Sequence, residues 1–341
     1  MALEPKKIAV LMGGSSFERE FSLKSGRYVT RTLEAAGHTV LPLDTTSTLV
    51  ETLRAQKPDV AYSALHGKHG EDGTIQSLLE FLGIPFVGSP SGVCRQTWNK
   101  SVLPYVVSAY RAGNNQQTTE DQTLPQACWP SRVVLAAATI KDMGAATALD
   151  LVPARIEGAY PVAVKPARGG SAMGVSKVSS VKDLASALLD ALSYDTDAII
   201  EKWVDGVEIA VCVVGTADDA YTLPPVEIVP KQGFFDIDHR IHADLVDYYA
   251  PVRLGSLSTD PQKARTALAS IEYAALEAHK ACFCRDLSRV DMIWDGEKPV
   301  VLEVNVSPGM TEQSLFPIAS EAADKPFVQL LEELLAFALS R

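Results

Sequence analysis

Apolar and polar positions change their spacing in step along the first part of the chain. Lys7–Met12 is a short apolar run that stops at Gly13-Gly14-Ser15-Ser16, as a buried strand does when it meets a turn. The apolar positions that follow recur at helical intervals as far as Ala36, and Gly37 supplies the stop. Val40–Leu43 and Val60–Leu65 read as two further strands, with a helix from Thr48 to Ala55 between them. A helix from Thr74 to Leu82 ends at Gly83, and Ile84–Val87 is a short fourth strand signal. Apolar strands alternating with helices predict a parallel sheet covered on both faces. Ligands of such sheets lie beyond the carboxyl ends of the strands, where the turns Gly13–Glu18 and His66–Gly73 fall.

Beyond residue 92 the pattern changes. A predicted helix, Val93 to Ala109, leads into the polar, loop-like stretch Gly113–Gln122. Strand signals follow at Arg132–Ala136, Pro161–Lys165 and Met173–Val178, the last two joined by the glycine-rich Pro166–Ala172. From Asp197 onward the chain is rich in strand signals and closes on a helix at Phe327–Ala338. The expected organisation is three domains: 1–91, 92–185 and 186–341. The fold class is α/β plus α+β.

Two strands near the C-terminus carry polar residues in an apolar setting: Ser288–Trp294 and Val300–Asn305. Strand side chains alternate sides, so Arg289 and Asp291 share one face, as do Glu303 and Asn305. The connector Asp295-Gly296-Glu297-Lys298 is a turn signal and predicts antiparallel pairing. An arginine, two carboxylates and an amide would then meet in one patch suited to a hard cation on phosphate oxygens. A solvated sheet face with an incidental ion pair is the competing reading. Lys165 before Arg168-Gly169-Gly170-Ser171 lacks the spacing of a P-loop, but a glycine-rich β–β turn can lay amides on phosphates. Gly13-Gly14-Ser15-Ser16 likewise lacks a dinucleotide fingerprint. Ile199–Val204 is a strand that leaves its sheet at Asp205-Gly206, where backbone can read an adenine edge. Asn305–Thr311 contains a Pro-Gly turn, and a helix is expected to begin at Thr311 with its amides facing the carboxylates.

Net charge removes some classes of partner. At −11 over 341 residues, the surface suits neither nucleic acid nor an anionic membrane. No apolar run approaches the ~18 residues of a membrane span. The opening residues lack a secretory apolar segment, so a cytoplasmic protein is expected. Cys94, Cys128, Cys212, Cys282 and Cys284 have no zinc-type spacing and read as reduced thiols.

In this order the segments resemble the D-alanine–D-alanine ligases of the ATP-grasp superfamily. The matching stretches are Gly13–Ser22, His66–Gln76, Gly88-Ser89, Lys100, Val164–Lys177, Glu201-Lys202-Trp203, Gly233–Asp236, Arg289–Asp291 and Leu302–Leu315. The resemblance implies an ATP-grasp fold with an N-terminal parallel-sheet, Rossmann-like domain, a central lid domain and a C-terminal catalytic domain. It implies ATP as co-substrate and two magnesium ions, with manganese as a substitute. ATP would phosphorylate one D-alanine, and a second would attack the acylphosphate, for peptidoglycan precursors. Glu18 would hold the first ammonium beside Phe21 and His66, and Ser171 would link the lid loop to Glu18. Lys100, Lys165 and Arg240 would contact phosphates. Glu201, Lys202 and Val204 would surround the adenine, and Glu208 would take the ribose. Asp291, Glu303 and Asn305 would hold the metal ions. Arg289 and the Gly309 amide would stabilise the acylphosphate and the oxyanion, and Ser314 and Leu315 would meet the acceptor. A homodimer formed through the N-terminal domain is implied as well.

The sequence departs from the family pattern in three places. Where members carry Lys-Tyr after the Phe-Phe-Asp strand, Arg240-Ile241 stand between His239 and His242. Ile241 cannot make the tyrosine's hydrogen bond, and variation there accompanies a change of acceptor in the family. Ala112–Gln126 is longer than expected, and Cys94–Asn99 is bulkier. Two alternatives to D-alanine ligation stand beside it: a D-lactate or D-serine acceptor, and a nucleotide-binding module without turnover.

Overall fold

The computed structural model describes residues 3–114, 127–156, 160–236, 239 and 242–341. Three sheets organise them. In the first, β1 (Lys7–Met12) lies between β2 (Thr39–Asp44) and β3 (Val60–Ser63), all parallel. Strand alternation sends Ile8 and Val10 to one face, where Val29 and Leu33 of the helix Arg19–Ala35 cover them. Ala9 and Leu11 face Leu49, Leu53 and Leu79 on the other side. The fourth strand signal contributes only a parallel bridge between Ala61 and Phe86; Pro85 has no N–H to extend the ladder.

The second sheet is antiparallel and contains β4 (Arg132–Ala136), β5 (Val162–Pro166), β6 (Ser176–Val178) and β7 (Asp197–Lys202) in the order β4-β7-β5-β6. β7 falls after residue 185, where the third domain was expected to begin. Its pairing with β4 and β5, not its place in the chain, decides which layer it joins.

The third and largest sheet has β8 (Val207–Val214) beside β10 (Val226–Pro230) and β12 (Leu287–Trp294). β11 (Val246–Tyr249) and β13 (Pro299–Asn305) form its ends, and β9 (Tyr221–Thr222) pairs with β8. Ala210, Cys212 and Val214 pack into the same core as the first face of the parallel sheet, together with the helix Phe327–Leu339. Ile209, Val211 and Val213 pack against the helix Pro261–Ala281, which Pro261 and the Asp260 side chain start in the usual way. The shared core fixes the outlets of the parallel sheet against β12 and β13.

The helix expected over Val93–Ala109 is two helices, Ser91–Trp98 and Leu103–Asn114. The break falls at Asn99, whose backbone is extended and whose side chain accepts from the Ser101 amide and hydroxyl, and Pro104 sits in the first turn of the second helix. Leu103 and Val107 are both fully buried, and Leu103 belongs to the core of the large sheet, so this stretch packs away from the four-stranded one. Among the described residues, no helix is long and apolar enough to cross a membrane.

Candidate active site

β12 and β13 pair antiparallel, as expected, with Arg289 opposite Asn305 and Asp291 opposite Glu303. Asp295 closes their turn by accepting from the amides of Glu297 and Lys298. Arg289 Nε and Nη2 donate to the two oxygens of Asp291 at 2.6 and 2.7 Å. Nη2 also stands 4.0 Å from Glu303, whose other oxygen is 3.4 Å from Lys100 Nζ. Burial opposes the Arg289 charge, yet Asp291 and Glu303 hold its pKa above the ordinary range. The Asn305 side-chain oxygen accepts from the Ser307 amide at 2.9 Å.

Two carboxylates and an amide are hard oxygen donors, and a carboxylate has lone pairs left after accepting from arginine. Among the described residues no group of three or more His, Cys, Asp or Glu is arranged to hold a metal. Asp291, Glu303 and Asn305 offer oxygen donors of the kind magnesium takes alongside water and phosphate ligands.

A second group of charges lies under the glycine-rich loop. The break after Trp98 delivers Lys100, whose backbone N–H donates to Ala167 O at 2.9 Å and whose Nζ donates to Gly169 O. Lys165, near the end of β5, pairs with Glu201 at 2.5 Å, and Arg132 approaches the other Glu201 oxygen at 3.0 Å. Burial pulls the Lys165 ammonium below its ordinary pKa with help from Arg132 and Lys100, while Glu201 opposes the shift. The Glu201 side chain thus faces buried cations. Beyond it, Trp203 packs edge-on against Phe234 with centroids 5.4 Å apart, and Lys177 Nζ lies 4.3 Å from the Trp203 ring. Lys202 ends β7, Val204 lies between β7 and β8, and Glu208 is the second residue of β8.

Glu18 occupies the N-cap position of the first helix without capping it. Its carboxylate instead accepts from the Ser171 hydroxyl of the glycine-rich loop. Gly67 and Gly170 leave room for this approach: a Cβ would lie 2.4 Å and 3.0 Å, respectively, from Glu18 oxygens, and Gly67 also has a positive φ of 71°. His66 is held at both nitrogens, 3.1 Å from Ser25 Oγ and 3.1 Å from Ser307 O. Since a carbonyl only accepts, Nδ1 carries the proton and the Ser25 hydroxyl donates to Nε2. Ser25 Oγ in turn accepts from the Met310 amide, which ties the first helix to the Ser307–Met310 turn.

Part of this set opens into one cavity of about 780 Å³, whereas Lys100 borders a separate small pocket with Gly169, Gly170, Glu303 and Asn305, and Asp291, Lys165 and Glu201 line neither. Glu18, Phe21, His66 and Ser171 line the large cavity together with Arg289, Glu303, Asn305, Gly309, Ser314 and Leu315. The helix expected to begin at Thr311 begins instead at Leu315. The Thr311 amide and hydroxyl are taken up by Ser314 Oγ at 2.9 and 2.8 Å, which folds 311–314 into a turn. Arg240 and Ile241 lie outside the described residues, as does most of Ala112–Gln126. Arg132, Ser25 and Ser307 escaped the sequence reading. Of these only Ser25 left a signal: it lies a helical turn beyond Phe21, on the face that carries Glu18.

Residues 139–336 match the family described as D-ala D-ala ligase C-terminus, and residues 47–89 match the corresponding N-terminus. A D-alanine–D-alanine ligase of Pelotomaculum thermopropionicum is 35% identical over 336 residues, spanning 98% of this chain and 96% of its own. Among solved structures, the ATP complex of the D-alanine–D-alanine ligase from Bacillus anthracis superposes with a TM-score of 0.75 at 26% identity, covering 98% of both chains. The VanG D-Ala:D-Ser ligase from Enterococcus faecalis gives 0.76 at 26% identity, over 98% of this chain and 100% of its own. With its ordered motifs, its three sheets and these full-length likenesses, the chain belongs to the D-alanine–D-alanine ligase family of ATP-grasp enzymes.

Proposed function

We propose that this enzyme uses ATP to join two D-alanines into D-alanyl-D-alanine for peptidoglycan precursors. The observation that carries the reading is one cavity with a carboxylate subsite at Glu18 and a charge-neutralising end at Arg289, Glu303 and Asn305. Glu18 holds the ammonium of the first D-alanine, with Phe21 and His66 around it. Lys100 and Lys165 contact the ATP phosphates, with Arg240 as a third cation. Lys202 and Val204 border the adenine beside Glu201, and Glu208 meets the ribose. Asp291, Glu303 and Asn305 would hold two magnesium ions, for which manganese would substitute, and the ions would supply charge neutralisation at the phosphate oxygens.

Phosphoryl transfer depends on positioning and charge neutralisation more than on covalent chemistry by the protein. Arg289 is already aligned by Asp291 and buried, so it meets the reacting oxygens at little cost in reorganisation. Gly309 offers its amide where the tetrahedral oxyanion develops, and Ser314 with Leu315 orients the acceptor. The Ser171 link to Glu18 closes the glycine-rich loop over the acylphosphate and excludes water. Reduced cysteines and a need for ATP suit the cytoplasm, and a homodimer through the N-terminal sheet domain is part of the proposal.

The test is ATP-dependent phosphate release with D-alanine, D-serine or D-lactate as acceptor, with the product identified by mass. D-alanine should give dipeptide with nearly as much phosphate, a small excess of phosphate marking acylphosphate lost to water. A preference for D-serine or D-lactate would reassign the acceptor, which matters because Ile241 replaces the family tyrosine. ATP binding with no acceptor-dependent phosphate would refute ligation and leave a nucleotide-binding module.

A further inference from the structure

Phe17 is 86% exposed, and no core of its own domain claims it. Its ring meets that of Tyr194 edge-on, with centroids 6.2 Å apart and planes at 77°. Phe17 lies in the turn after β1, whereas Tyr194 is the last residue of the helix Val181–Tyr194, packed on the four-stranded sheet. The contact therefore joins two separate layers of the molecule.

Tyr194 also supports the glycine-rich loop. A Cβ at Gly174 would fall 2.7 Å from Tyr194 Cδ2, so the ring lies flush against the loop's far end. The next residue, Asp195, accepts from the backbone and guanidinium of Arg168 at the loop's near end, at 2.8 and 3.1 Å. Ser171, midway along, donates to Glu18. Neighbouring residues Phe17 and Glu18 thus grip the loop in two ways, one through its support and one through its middle.

We propose that Phe17 and Tyr194 are positioning residues that hold the glycine-rich loop closed, and so set how much acylphosphate is lost to water. Water that reaches the acylphosphate returns free D-alanine and phosphate, so loop opening appears as phosphate released without dipeptide. An edge-to-face pair of this separation is a modest clamp. Its loss should change the ratio of open to closed loop about threefold to tenfold. The inference rests on the proposed ligation.

The experiment compares phosphate released with dipeptide formed in the wild type and in Phe17→Ala, Tyr194→Ala and Tyr194→Phe. Phosphate in excess of dipeptide should rise about threefold to tenfold in both alanine variants. Tyr194→Phe keeps the ring and should match the wild type. Phe17→Ala should melt with the wild type, because an exposed side chain contributes little burial. Unchanged excess phosphate in both alanine variants, with the wild type ligating normally, would overturn the latch alone. An equal rise in Tyr194→Phe would also overturn it. A wild type that forms no dipeptide would overturn the proposed function and the latch together.

Discussion

Glu201→Gln separates two uses of one carboxylate. The family resemblance places Glu201 beside the adenine. Its side chain, however, lies 2.5 Å from Lys165 and 3.0 Å from Arg132, with all three side chains less than a tenth exposed. Removing one partner of a buried ion pair costs ~3–5 kcal/mol, because the remaining charge is stranded. Glutamine still accepts one hydrogen bond, which puts the cost at the lower end, about 3 kcal/mol. Part of the penalty is relieved if Lys165 releases its proton, and burial already pulls its pKa down. Over a chain of 341 residues the unliganded variant should melt about 4 °C below the wild type. ATP brings anionic oxygens to the same cations, so its stabilising effect should be larger in the variant than in the wild type. Losing Glu201 removes the charge that opposes the fall in the Lys165 pKa, so activity should decline at lower pH in the variant than in the wild type as pH rises. Thermal unfolding with and without magnesium and ATP measures the first two effects, and initial rates across pH measure the third. An unchanged melting temperature without ligand, with only a raised KM for ATP, would refute the clamp and return Glu201 to the adenine.

Asp291→Asn and Glu303→Gln should each lower turnover by about 10²–10³-fold while the circular dichroism spectrum stays that of the folded wild type. Near-normal turnover in either would sink the metal assignment. Gly67→Ala should abolish the Glu18 subsite, since the new Cβ would fall 2.4 Å from a Glu18 oxygen at a positive φ of 71°. A wild-type KM for the first D-alanine would contradict that crowding. His279 has its pKa pushed down to about 4 by burial, with Nδ1 2.7 Å from Ser288 Oγ. The unfolded chain takes up this proton below a pH of about 6.5, so the stability is full above that pH and is lost as pH falls. The loss should reach about 2 kcal/mol near pH ~5 and about 3 kcal/mol below pH ~4. Urea midpoints across that range should flatten in His279→Gln, and an unchanged slope would show that other groups drive acid unfolding.

How far the site could be read in the chain depended on the distance over which its geometry is set. The β12–β13 patch was legible because strand alternation and a four-residue turn suffice to bring Arg289, Asp291, Glu303 and Asn305 to one face. Glu18 and Ser171 were joined only through the resemblance: 153 residues separate them, and no local pattern predicts their contact. The start of the last motif's helix was misplaced because Thr311 is a good N-cap by type, but Ser314 captures its amide and hydroxyl first.

Lys100 shows most clearly why local reading stops short. Its neighbours from Val93 to Ala109 have acceptable helical spacing, and although Pro104 announces a break in that stretch, it does not say where Lys100 will point. Asn99 can close an Asx turn, but many helices carry an asparagine without breaking. What places Lys100 at the break is tertiary: Asn99 forms a bridge with Arg168, and the Lys100 amide bonds to Ala167, both in the glycine-rich segment. Those bonds replace the helical ones that the break gives up, so buried backbone groups stay paired. The same exchange swings the Lys100 ammonium to Gly169 and Glu303. The loop that is to close over phosphate therefore also recruits the lysine that would neutralise it. Asn99→Ala should leave the break in place, because the bonds to Arg168 and Ala167 use backbone groups that alanine retains. Exchange protection at the Lys100 amide equal to that of the helices around it would support this. Loss of that protection in Asn99→Ala would show that the side chain, and not the loop, sets the position of Lys100.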